Sequence, residues 1–179
     1  AVSHGLQAGM VVAVAKSLFQ SVDPIDPPAE VLNRIGVGLQ TMRERYASMA
    51  MVVIAVDDHR LRIASAAMPP LLIRRKSTGR VEEILLPGVP LGTLAGVDYA
   101  VRDVDVGSGD VVLVTSDGAA EAIAPSGEHF GYDRVIEYLE GCDGQAADSI
   151  VDGLVDAVTL FGGDVGPHDD VTVLAKVVE

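Results

Sequence analysis

The spacing of apolar residues changes character three times along the chain. Over residues 4–19, Leu6, Met10, Val14 and Leu18 recur at every fourth position, which stacks them on one helical stripe. Val11, Val12, Ala13 and Ala15 make this helix apolar almost all round, so it is expected to be deeply buried. Asp23, Pro24, Asp26, Pro27 and Pro28 interrupt the pattern, and the two prolines sit where a new helix begins. Ala29, Val31, Leu32, Ile35, Leu39 and Met42 then mark the inner face of that second helix.

Strand character follows. Residues 49–56 form a dense apolar run rich in β-branched side chains, 57–59 read as a turn, and 61–67 as the hairpin partner. Further strands are predicted over 71–75, 81–85, 100–106 and 111–115, each bounded by Gly, Pro, Ser or Asp. The order suggests a meander. Helical spacing returns over 132–139 and 146–160, with Ile150, Leu154, Val158 and Phe161 on one side, and 171–178 closes as a strand. Helices in pairs and strands in a block predict an α+β layered domain with an antiparallel sheet covered by helices.

Composition narrows the class. With 179 residues, 49% of them apolar, the chain is expected to form one domain over residues 1–179. Its 26 acidic against 13 basic side chains give a formal charge of −13, which disfavours nucleic acid and anionic membrane surfaces as partners and favours cations. The single cysteine, Cys142, excludes an internal disulfide and a multi-cysteine zinc site and suits a reducing cytoplasm. No apolar run reaches the ~18–20 residues a membrane span needs, and the start lacks a signal-peptide layout. A soluble, cytoplasmic protein is the expectation.

Three segments bring polar residues to the ends of apolar elements. Ser3, His4 and Gly5 open the first helix, where unpaired N–H groups favour an anion and glycine admits a ligand to the backbone; an ordinary cap reads the same way. Ser116, Asp117 and Gly118 follow the strand at 111–115, a rigid placement suited to a metal ligand but also common in turns. Glu121 lies one helical turn after Asp117. Asp169 and Asp170 precede the last strand without a nearby lysine or arginine, so either a hard cation or solvent must relieve their repulsion. His4, His59, His129 and His168 lack the spacing of a helical zinc site, and there is no Walker loop, dinucleotide fingerprint or nucleophile elbow. Carboxylate chemistry is what survives.

At these residues the chain resembles a known family. Residues 1–9, Ala-Val-Ser-His-Gly-Leu-Gln-Ala-Gly, are similar to the segment that follows the metal-binding aspartate of SpoIIE-type phosphatases. Ala67-Met68-Pro69-Pro70, Pro90-Leu91-Gly92, Gly109-Asp110, Ser116-Asp117-Gly118 with Glu121, Gly127-Glu128, Phe130-Gly131 and Asp169-Asp170-Val171-Thr172 continue the resemblance in the family's order. It implies a protein phosphatase 2C-like β-sandwich flanked by helix pairs, with two Mn²⁺ or Mg²⁺ ions in the complete domain. The implied activity is hydrolysis of phosphoserine or phosphothreonine on a partner protein, such as an anti-anti-sigma type protein, by direct attack of water. By position, Asp117 and Asp169 are the implied metal ligands. Asp170 serves an additional ion or supports the first two, His4 matches a catalytic histidine, and Gly5 and Gly118 belong to the binding surface.

The family's N-terminal strand pair, with its Gly-Gly-Asp motif and one central metal ligand, has no counterpart in these residues. The resemblance therefore implies an N-terminally incomplete domain with weak metal affinity and poor activity, either a fragment of a longer protein or a chain that folds with exposed strand edges and self-associates, as in a homodimer. The competing class is a regulatory module that binds a signalling partner without turnover. An aspartate immediately before Ala1 would favour catalysis.

Overall fold

The computed structural model describes residues 5–42, 47–163 and 169–179, and they divide into two units. The first comprises Ala1–Met68 with Leu86–Asp105, the second Pro69–Leu85 with Val106–Glu179.

In the first unit, α1 spans Leu6–Gln20 and α2 spans Pro28–Gln40. Pro28 stands at the first position of α2, where its missing N–H costs no helical bond. Val31, Leu32, Ile35 and Leu39 are buried on one face, as their spacing predicts. The α1 stripe is corrected. Leu6 is 81% exposed and Met10 48%, whereas Val11 and Ala15 are buried, with Val14 and Leu18 packed against them. A helix apolar on every side carries no directional signal, and here its inner face was set by packing against α2.

The sheet of this unit has the order β1-β2-β5, all antiparallel: Met51–Asp57, Arg60–Ala66 and Val101–Asp105. Asp57 pairs with Arg60 at the end of the β1–β2 hairpin, and Asp58 in the two-residue turn adopts φ +43°, which aspartate tolerates better than most residues. The core joins Val11, Ala15, Leu32, Ile35 and Leu39 to Ala64, Ala66, Leu91 and Tyr99. Gly92 closes it with φ +83°, and a Cβ there would run into the Ala47 carbonyl oxygen. Only glycine satisfies both constraints.

The second unit carries a four-stranded antiparallel sheet in the order β4-β3-β6-β7: Val81–Ile84, Leu71–Arg74, Val111–Thr115 and Val173–Val177. The simple meander expected from strand order is thus corrected, since β5 pairs with β2 in the first unit and β6 pairs with β3. Central β6 buries Val111, Val112, Leu113 and Thr115, which is why its sequence is apolar without alternation. Two longer helices, α4 (Gly131–Glu140) and α5 (Ala147–Gly162), supply Val135, Leu139, Ile150, Leu154 and Val158 to the same core as Leu113. The Tyr138 hydroxyl donates to the Ile150 carbonyl at 3.0 Å, and a Cβ on Gly153 would collide with that hydroxyl. Burial pushes Tyr138 up to about 12.

Buried Arg74 donates from Nε to the Glu140 carbonyl at 3.1 Å and pairs through Nη2 with Asp143 at 3.1 Å, closing the C-terminal end of α4. Cys142 is buried beside it, and burial pushes its thiol up. Among the described residues no helix is long and apolar enough to cross a membrane.

Candidate functional site

Strand β6 delivers Ser116 and Asp117 out of the core of the second unit, and α3, one short turn spanning Asp117–Glu121, begins there. Its neighbour β7 is paired through Thr115 with Val173, so the residues ahead of β7 run alongside those after β6. Ser116 ties the two segments. Its N–H donates to the Thr172 carbonyl at 2.9 Å, its hydroxyl donates to the Asp170 carbonyl at 3.0 Å, and the same Oγ accepts from the Thr172 N–H at 2.9 Å. These bonds join residues 54 and 56 positions apart in the sequence.

Gly118 makes the approach closer still. A Cβ at this buried position would stand 2.5 Å from the Asp170 carbonyl oxygen and 3.5 Å from the Asp169 carbonyl carbon. The Asp170 carbonyl and the carbonyl carbon of Asp169 therefore pack closely against the first turn of α3, in space that a side chain would fill. This is the residue-level reason for glycine after Asp117.

The carboxylates that flank this contact are exposed, and each orients itself through its own chain. Asp117 Oδ1 accepts from the Gly118 N–H at 3.1 Å, and Asp169 Oδ1 accepts from the Asp170 N–H at 2.7 Å. Among the described residues no lysine or arginine pairs with Asp117, Asp169 or Asp170. The arginines of this unit pair elsewhere: Arg75 with Glu82 and Asp110, Arg74 with Asp143, Arg80 with Glu140, and Arg134 with Glu128. Oxygen-only donors without an internal counter-charge suit a hard divalent cation. Among the described residues no group of three or more His, Cys, Asp or Glu side chains is arranged to hold a metal ion.

Of the residues singled out in the sequence, Asp117, Gly118, Asp169 and Asp170 all belong to the second unit, and the backbone brings their two segments together. Gly5 belongs to the first unit, where it precedes α1 with φ +80° and open space around its Cα. His4 and His168 lie outside the described residues. Glu121 is exposed at the end of α3, on the same helical face as Asp117.

Two residues near α3 carry no motif in the sequence. The Phe130 N–H donates to the Ala122 carbonyl at 2.8 Å, which fastens the start of α4 to the end of α3. Half-buried Tyr132 follows in the first turn of α4; its phenol is pushed up by burial and then by the negative charges of Asp117 and Glu121. Arg134 holds the intervening loop, donating through Nη1 to the His129 and Phe130 carbonyls at 3.0 and 2.8 Å while its guanidinium lies 4.9 Å from the Phe161 ring centroid. The only advance signal for either was its position near the start of a predicted helix close to Asp117.

No curated protein matches the chain in sequence. Its fold matches the SiaA-PP2C domain of Pseudomonas aeruginosa with a TM-score of 0.85 at 20% identity, covering 99% of this chain and 73% of that one. The RsbU and RsbW domains of Rv1364c from Mycobacterium tuberculosis match with a TM-score of 0.72 at 22% identity, over 97% of this chain and 48% of that one. The phosphatase domain of the cell fate determinant SpoIIE from Bacillus subtilis, Mn presoaked, matches with a TM-score of 0.59 at 18% identity, over 100% and 76%. The chain thus has the mixed helix and antiparallel-sheet fold of PP2C-type phosphatase domains. In sequence, residues 1–178 match the family described as Stage II sporulation protein E (SpoIIE), and the chain belongs to that family.

Proposed function

We propose that this chain belongs to a metal-dependent protein serine/threonine phosphatase in which Asp117 and Asp169 hold a divalent cation, Mn²⁺ or Mg²⁺. The observation that supports it most is the close packing of Gly118 on the Asp170 carbonyl and the end of Asp169, which draws two sequence-distant carboxylate segments into one corner beside β6 and β7. A bound ion of this kind lowers the pKa of water and offsets charge on a transferring phosphoryl group. The chain's own contribution is to fix the ligands. Ser116 locks the spacing of the two segments, Gly118 permits their approach, and the local N–H bonds to Asp117 and Asp169 orient each carboxylate before an ion arrives.

Asp170 is assigned to an additional ion or to support of the first, and His4 to proton transfer with Gly5 beside it on the binding surface. The substrate is a phosphoserine or phosphothreonine on a cytoplasmic signalling protein, of which an anti-anti-sigma type protein is the leading candidate. The test is Mn²⁺-dependent release of phosphate from a phosphoserine protein by the intact protein that contains this chain, compared with its Asp117→Asn variant. Loss of release in the variant is expected; retained release rejects the assignment. Phosphoprotein binding without any release in the parent protein would instead support a regulatory module.

A further inference from the structure

We infer that Arg134 is a positioning residue for the Asp117–Asp169 site, holding the loop that braces both ligand-bearing segments; this rests on the reading of those carboxylates as cation ligands. The loop is residues 122–130, between α3 and α4. Ile123 bridges to His129, the Ala124 N–H donates to the Glu128 carbonyl at 2.8 Å, and the Phe130 N–H donates to the Ala122 carbonyl at 2.8 Å. The loop is thus an antiparallel tongue, and its outgoing limb leaves directly from α3, the single turn that opens with Asp117. The same tongue meets the end of α5. A Cβ on buried Gly162 would stand 3.9 Å from the Ile123 carbonyl oxygen, and one on Gly163 would stand 3.4 Å from Pro125 Cγ. Buried Phe130 meets Phe161 edge-on, with ring centroids 5.3 Å apart. In chain order α5 precedes Asp169 and Asp170, so one loop touches the helix that starts at Asp117 and the helix that leads toward Asp169.

Arg134 fixes the returning limb of the tongue. Its Nη1 donates to the His129 and Phe130 carbonyls at 3.0 and 2.8 Å, its Nη2 pairs with Glu128, and its guanidinium lies 4.9 Å from the Phe161 ring centroid. One planar group therefore meets two main-chain carbonyls, a carboxylate and a ring face, which the point charge of a lysine on its flexible stem does not reproduce. Because two of the acceptors are backbone, these bonds hold the main chain itself. A ligand pair supported in this way keeps its spacing before an ion arrives, and a loosening of about 1 Å in the support is enough to spoil a site. Charge alone would act in the opposite sense. A cation in this unit repels a divalent ion, so removing Arg134 for its charge would tighten binding, whereas removing it as a support weakens binding.

The test is Mn²⁺ affinity, measured by calorimetry without substrate on the intact protein that contains this chain. Arg134→Ala is expected to weaken Mn²⁺ binding roughly tenfold. Arg134→Lys, which keeps the charge and carries the test if the alanine variant does not fold, is expected to weaken it by about as much. Hydrogen exchange at the Ser116 and Thr172 amides, which bond across the two ligand-bearing segments, should quicken in both variants. Arg74→Ala removes an arginine bond to a main-chain carbonyl at the far end of α4 and is the control for general destabilisation; it should leave Mn²⁺ affinity unchanged. Unchanged or tighter Mn²⁺ binding in the Arg134 variants, with binding lost in Asp117→Asn, would overturn the role of Arg134 while the site stands. An equal loss in Arg74→Ala would overturn it too, by making the effect one of stability. Mn²⁺ binding indifferent to Asp117→Asn would reject the site itself, and the role of Arg134 with it.

Discussion

Replacing Gly118 by alanine isolates the contact on which the site is built. The added methyl would sit 2.5 Å from the Asp170 carbonyl oxygen and 3.0 Å from its carbonyl carbon, where ordinary contact begins near 3.4 Å. Relief requires a displacement approaching ~1 Å of backbone rather than of a flexible side chain. That backbone is held by the Ser116 bonds and by the β6–β7 pairing, so it cannot yield freely. Overpacking of this kind costs about 1–3 kcal/mol, against which alanine returns up to about 1 kcal/mol of helix propensity. The expected net loss is about 1–2 kcal/mol in urea unfolding. Because the methyl displaces the Asp169–Asp170 segment from Asp117, phosphate release by the intact protein should fall by about 10²-fold as well. Gly9→Ala is the control: it lies within α1 with nothing within 4 Å of the new methyl, and should gain roughly 0.5–1 kcal/mol. A Gly118→Ala protein as stable as its parent, with full cation affinity, would refute the packing argument.

Other expectations concern the frame around the site. For Asp110, burial alone would raise the carboxyl, but the N–H groups of Gly107 and Lys76 and the Arg75 guanidinium outweigh it and hold it below the ordinary range. Its contribution is therefore complete above the unfolded value of about 4 and disappears as pH falls through the lower folded value, so the stability gap to Asp110→Asn should be constant from pH 5 to 8 and narrow only below about pH 4. Arg74→Ala removes a buried stem and the donor to the Glu140 carbonyl, and should cost about 2 kcal/mol or more in urea unfolding. The exposed Arg60–Asp105 pair is the contrast, since Arg60→Ala should change stability by less than ~0.5 kcal/mol.

Elements were legible where one periodicity dominated. The inner face of α2 and the strand at 111–115 followed directly from spacing, because each buries a face, or a whole strand, that cannot be polar. The α1 face was not legible, because Leu6 and Met10 are as apolar as the buried Val11 and Ala15, and only the position of α2 distinguishes them. Strand partners were hidden for a related reason: nothing local in residues 101–105 states that they pair with β2 rather than with the preceding strand. At the site, Asp117 and Asp169 stood out by residue type and by resemblance, whereas Tyr132 and Arg134 did not. Their placement depends on the bond from the Phe130 N–H to the Ala122 carbonyl and on the His129 and Phe130 carbonyls that accept from Arg134, backbone partners that no side-chain pattern encodes.

The meeting of Tyr138 with Gly153 carries a consequence for sequence change. The phenol crosses from α4 to reach the Ile150 carbonyl through space that any β-carbon at 153 would occupy. The two positions are thus a single packing unit, and a tolerated gain of bulk at 153 requires a shortened ring substituent at 138. Tyr138→Phe should rescue Gly153→Ala, and related sequences that lost one member of the pair should have changed the other.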